Sequence, residues 1–238
     1  MGGILFLNFL LGIFVLLKNR RSLLNILFFV FAVSIVGWES AILYSLVVNI
    51  NPVISRLIFS FAASITASFF LFSLIFPQKT PTSRAGLFYA FLIASVFFIV
   101  SPLLDGWVIK NIFSKENYLA AEYGLLYYAY AGFILFSIIG SLIVLVKKFV
   151  NSASVQRLQL KYLFLGSAGF LVPAAITNLI LPGFFDIRQY NLFGAAFSIF
   201  MLAAMSYAII KHHLMDISFV IRRGKVFTLL FAAVSFLY

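Results

Sequence analysis

Residues Leu23–Val48 read LLNILFFVFAVSIVGWESAILYSLVV, and this stretch decides the class of fold. Its one formal charge is Glu39. About 20 predominantly apolar residues in a helix cross a hydrocarbon core ~30 Å thick, and this run is longer than that. It lacks the period-two alternation of an outer-membrane barrel strand, so the crossing element is a helix. Outward from it lie Ile4–Leu17, Leu57–Phe76, Ala85–Leu104, Leu125–Val146, Tyr162–Leu181 and Tyr190–Ile210. None of these six runs contains a charged residue. The expected fold is an all-α polytopic bundle of seven transmembrane helices.

Composition agrees. Of 238 residues, 64% are hydrophobic and 10% charged. A soluble domain is nearer to half apolar and about a quarter charged. One domain of this size cannot hide the excess from water, so the bilayer is the natural partner. The 31 Phe fit lipid-facing surfaces. The absence of Cys excludes disulfides and thiolate metal sites. A net charge of +11 would suit nucleic acid, but the cations fall in short clusters between apolar runs, as topology signals do.

The first run begins almost at Met1 and is followed by Lys18, Asn19, Arg20 and Arg21. A cleavable signal peptide has the reverse charge order, so this run is expected to be a span. An eighth run, Val226–Tyr238, is too short to cross and has no closing polar flank. It is expected to be the start of a further helix in a longer reading frame. The expected organisation is thus a bundle over residues 1–210, a juxtamembrane connector over 211–225 and the unfinished helix over 226–238.

Orientation follows from the connections. Thirteen basic residues lie on one side: Lys18, Arg20, Arg21, Lys79, Arg84, Lys147, Lys148, Arg157, Lys161, Lys211, Arg222, Arg223 and Lys225. Only Arg56, Lys110, Lys115 and Arg188 lie on the other. The positive-inside rule places the first group in the cytoplasm and the amino terminus outside, in the inner (plasma) membrane. The longest outside connection, Asp105–Gly124, is large enough for a lid or hairpin.

Few residues can carry chemistry. A carboxylate at the depth of Glu39 costs about 2.5–3.5 kcal/mol on insertion scales unless paired, protonated or wet. It is either a ligand contact or proton-sensitive group facing the interior, or an interfacial residue with Trp38 as its aromatic anchor. Asn178, near the end of the sixth run, is an amide that seeks an interhelical partner or caps a helix end. Pro173 should kink that helix. Tyr123, Tyr127, Tyr128 and Tyr130 form either an aromatic belt or a pocket wall under the Asp105–Gly124 loop. His212 and His213 point to different helix faces without a carboxylate pair nearby, which suits interfacial residues better than a metal site. There is no Gly-rich phosphate loop and no His-Glu-x-x-His. No Lys lies within a span to hold retinal. No cofactor is expected.

The segment Lys211–Lys225, KHHLMDISFVIRRGK, places Leu214, Ile217 and Ile221 at helical spacing, with Asp216, Arg222 and Arg223 supplying charge. It reads as an amphipathic helix at the cytoplasmic face, or as a basic flank that fixes topology.

Here a resemblance becomes specific. Tyr207-Ala208-Ile209-Ile210-Lys211-His212-His213-Leu214-Met215-Asp216-Ile217 resembles the signature that ends the seven-helix amino-terminal region of bacterial sensor histidine kinases. Lys18-Asn19-Arg20-Arg21-Ser22, with Asn25, Phe28 and Trp38, resembles that family's first loop and second helix. Gln159-Leu160-Lys161-Tyr162-Leu163-Phe164-Leu165-Gly166 resembles the start of its sixth helix, and Asn178 with Pro182 the end of it. His213 departs from the Arg common in the family. The resemblance implies a membrane sensor that passes a stimulus to a cytoplasmic kinase region of the same longer chain. A response regulator would follow, and a homodimer is compatible with it. Candidate sensing residues are then Trp38, Glu39 and Asn178. Candidate coupling residues are His212, Leu214, Asp216, Ile217, Ile221, Arg222 and Arg223. The rival readings are a transporter or lipid-binding membrane protein, and a structural subunit of a membrane complex. A transporter should show paired broken helices.

Overall fold

The structure is a computed structural model that describes residues 2–47, 51–77, 85–115, 118–152, 154–187, 190 and 193–212. In chain order the helices are α1 (Gly2–Lys18), α2 (Leu23–Val47), α3 (Pro52–Ile75), α4 (Ala85–Val100), α5 (Tyr127–Asn151), α6 (Ser154–Ala175), α7 (Leu181–Phe184), α8 (Phe193–Ala196) and α9 (Ser198–His212). A π-helical turn, Ile176–Ile180, joins α6 to α7 without a break. Between α4 and α5, strands β1 (Ile109–Lys115) and β2 (Tyr118–Tyr123) form an antiparallel hairpin. Among the described residues this hairpin is the only sheet, and it lies within the Asp105–Gly124 loop.

Four segments are long and apolar enough to cross a membrane: Leu23–Ser45, Pro52–Ile75, Tyr127–Asn151 and Val155–Phe184. Three further apolar helices, Leu5–Lys18, Phe88–Leu103 and Ser198–Ala208, are shorter. Several boundaries depart from the apolar runs. Helix α3 starts at Pro52 because Asn51 caps it, its side chain accepting from the Val53 N–H at 2.9 Å. The run Tyr190–Ile210 is divided into α8 and α9. Pro173 lies inside α6, and the π turn begins three residues later, so the expected distortion takes the form of a widened turn.

Aromatic packing joins the helices. Phe28 and Phe31 of α2 meet Phe69 and Phe72 of α3, with Phe31–Phe69 ring centroids 5.2 Å apart. A second group links α3, α4 and α5 through Phe70, Phe91, Phe98 and Phe133. Phe31, Phe69 and Phe72 are among the most deeply buried side chains. Phenylalanine here therefore fills helix interfaces as well as facing lipid. Ring pairs of this kind contribute about 0.5–1.5 kcal/mol beyond area burial.

Polar contacts fix both ends of the α3–α5 pair. At one end the Tyr130 hydroxyl donates to the Phe59 carbonyl at 2.7 Å. At the other, Lys148 Nζ donates to the carbonyls of Ser73, Leu74 and Phe76 at 2.9, 2.7 and 2.5 Å. Ser73 and Leu74 carry carbonyls that the last turn of α3 leaves without intrahelical partners, Phe76 is its C-cap, and a cation there also complements the helix dipole. Arg56 of α3 pairs with Asp105 beyond α4, on the Tyr130 side. Asn25 Nδ2 donates to the Val15 carbonyl at 3.0 Å and ties α1 to α2.

Helices α6 and α9 meet through small residues. A Cβ placed on Gly166 would stand 2.6 Å from Ala204 Cβ and 3.3 Å from the Met201 backbone, so only glycine permits this approach. Small residues at such contacts let backbones pack closely, which drives helix association in lipid. The Tyr162 and Tyr207 rings continue the same interface, 4.7 Å apart.

Candidate functional site

Glu39 follows from the pattern of α2. Leu24, Phe28, Phe31, Ile35, Trp38 and Ile42 recur at helical spacing and are buried, whereas Val30, Tyr44 and Val47 are exposed. Glu39 sits on the edge of the buried stripe and is only 4% exposed. Its Oε1 has no hydrogen-bond partner, and no cationic side chain is paired with it among the described residues. Trp38, also 4% exposed, packs edge-on against Phe170 of α6 at 6.2 Å. Both residues thus belong to the interior. Their burial turns both side chains toward the bundle and away from its outer surface.

Facing the Glu39 carboxylate is Ser198, the first residue of α9. Its hydroxyl is fully buried and stands outside hydrogen-bonding geometry. Asn8 of α1 is 4% exposed, and its Nδ2 is likewise unpartnered. Native proteins leave few buried polar atoms unsatisfied, and each asks for an explanation.

Asn178 is placed elsewhere. It lies in the π turn, eight residues beyond Phe170, with its amide against Gly194. It donates to the Ala174 carbonyl at 3.1 Å and to Thr177 Oγ1 at 2.9 Å. Both of these partners lie within its own helical segment. Two of the four clustered tyrosines also point inward. The Tyr127 hydroxyl donates to the Leu179 carbonyl at 3.3 Å, in the space left by Gly183, and Tyr127 and Tyr130 are each 1% exposed. Tyr128 alone, at 66%, has the exposure of a belt residue. Tyr123 stacks on Tyr127 with centroids 3.7 Å apart, which seats the hairpin on the bundle.

Of the coupling residues, His212 closes α9. Leu214, Asp216, Ile217, Ile221, Arg222 and Arg223, and the run Val226–Tyr238, lie outside the described residues. Sequence reasoning missed Ser198 and Asn8. Ser198 carries no signal in a run that also holds Ser206, but Asn8 does, as an amide within an apolar run.

A bundle of apolar helices, four of them long enough to cross a membrane, defines the general class: a multi-pass membrane protein. A family model described as the N-terminal 7TM region of histidine kinase matches residues 3–218. The chain belongs to this family of histidine kinase N-terminal sensory regions. No curated protein and no solved structure matches it.

Proposed function

We propose that the chain is the sensory input of a histidine kinase-type protein, in which Glu39 and Trp38 register a stimulus and α9 carries it inward. The observation that supports this best is the position of Ser198. It faces the buried carboxylate at one end of α9, and the other end leads into the 211–225 connector. A change at Glu39 bears directly on the helix nearest the output. The stimulus acts by binding one packing of the bundle better than another, since equal affinity would shift nothing. Asn178 serves in this scheme through the widened turn that shapes the outer end of α6. The connector then biases a cytoplasmic kinase region of a longer chain, and through it a response regulator.

The test uses the full-length protein with Glu39→Gln, which keeps shape and removes the charge. The expected result is a stimulus response reduced by tenfold or more, an effect of about 1.4 kcal/mol on the coupling. An unchanged response would reduce Glu39 to a structural residue.

The proposed topology has seven crossings, the amino terminus outside and Lys211–Lys225 inside. The pairing of helix ends supports it, because Arg56 and Asp105 share one end while Lys148 and the end of α3 share the other. With Cys introduced at Ser22 or Asn117, an impermeant thiol reagent applied to intact cells should label Asn117→Cys and spare Ser22→Cys. The opposite pattern would invert the topology.

A further inference from the structure

We infer that Glu39 and Ser198 form, with Asn8, a binding site for a monovalent cation inside the bundle. Two oxygens on different helices, Glu39 Oε1 and Ser198 Oγ, face each other, are buried and hold no hydrogen bond. A proton on Glu39 would satisfy the pair only if the two neighbouring groups moved into a hydrogen-bonding geometry that they do not hold. A cation between them satisfies both at once, since a carboxylate and a hydroxyl each offer free lone pairs. It also removes the isolated charge that makes a carboxylate costly at this depth.

The third group comes from α1. Gly12 lies against Ala32, and the Asn25 amide reaches the Val15 carbonyl. These two contacts, carried outward along the antiparallel pair, set Asn8 level with the stretch from Ala32 to Val36, on the approach to Glu39. Asn8 carries a buried amide, and which of its two ends is oxygen is settled only by its partners. Its oxygen toward the site completes a set of hard oxygen donors, the set that hard cations take.

Charge and size narrow the ligand. One carboxylate balances one positive charge. Among the described residues no group of three or more His, Cys, Asp or Glu is present to hold a divalent ion. Trp38 packs on Phe170 beside the carboxylate, and both Glu39 and Ser198 are buried, a setting that suits a small inorganic ion better than an organic cation. Such an ion would tie α1 and α2 to the first turn of α9. This inference rests on the reading of Glu39 as the interior end of the relay and supplies its ligand class.

The experiment measures thermal unfolding of the purified full-length protein in sodium, lithium or potassium chloride, with choline chloride holding ionic strength constant. Trp38 fluorescence reports occupancy separately. The expected result is a saturable rise in Tm with sodium that is absent in Glu39→Gln. In Ser198→Ala the half-saturating concentration should rise at least about tenfold. Ser198→Ala decides the matter if Glu39→Gln does not fold. Equal Tm in sodium and choline for the unaltered protein overturns the site, and so does a sodium effect that both variants keep. A Tm that follows pH and ignores sodium also overturns it, leaving a proton as the only ligand. Sodium binding with an unchanged stimulus response in Glu39→Gln would keep the site and sink the sensing role alone.

Discussion

Gly166→Ala is expected to destabilise the bundle, although the same change in an open helix would stabilise it by as much as about 1 kcal/mol. The new methyl group would meet Ala204 Cβ at 2.6 Å with the Met201 backbone behind it, and neither can swing away. Overpacking a filled contact costs about 1–3 kcal/mol. The sign of the change therefore tests the α6–α9 interface itself. Gly166→Val should go further, forcing α9 off α6 and removing stimulus dependence. Reversible unfolding in mixed detergent, compared with Gly132→Ala as a control, checks this. A Cβ at Gly132 meets nothing within 4 Å, so that variant should be neutral or more stable. Equal stability of Gly166→Ala and the unaltered protein would mean that the helices do not pack as described.

The second large effect concerns the connector. In the full-length protein, Leu214, Ile217 and Ile221 changed together to Ser should leave topology intact, because every Lys and Arg remains to set it. Stimulus dependence should disappear, with output fixed at one level. The apolar face that would hold the segment on the membrane is gone, while its cations, each worth about 1 kcal/mol near anionic headgroups, still attract it to the surface. On the amphipathic-helix reading of the segment, His212 and Asp216 at i,i+4 spacing would orient it more than stabilise it. A dose-response curve of output against stimulus, together with the Cys labelling above, separates the two effects. A normal curve in the triple variant would leave Lys211–Lys225 as a topology anchor.

The apolar runs made the helices legible because a bilayer permits few other ways to satisfy a backbone. Their ends were less legible because a run stops at a charge and a helix need not. Arg56 lies within α3 and Lys148 within α5, each with its charge placed at a helix end. The division at Phe197 and the π turn were hidden for a different reason. Both depend on backbone hydrogen bonding that apolar side chains do not encode, and Pro173 gave only a general warning. Glu39 was visible as the lone charge in the spans, but its burial was not, since Trp38 beside it suits an interface equally well. Ser198 could not be found from sequence, because its meaning comes entirely from standing opposite a residue 159 positions away.

The different ways in which the helices are joined give the bundle a mechanical asymmetry. Tyr130 and Lys148 rivet α3 to α5 at opposite ends with directional bonds that break if either helix slides. Beside this stator, α9 meets α6 by packing alone at two notches, where Gly166 receives Ala204 and Met201 and Gly169 receives Phe200. A shift of α9 by one helical turn, about 5.4 Å, would have to lift these side chains out of their glycine notches. On the proposed reading, a change near Glu39 would act on α9 against the α3–α5 frame, and the depth of these notches would set a ratchet-like step in place of a continuous slide.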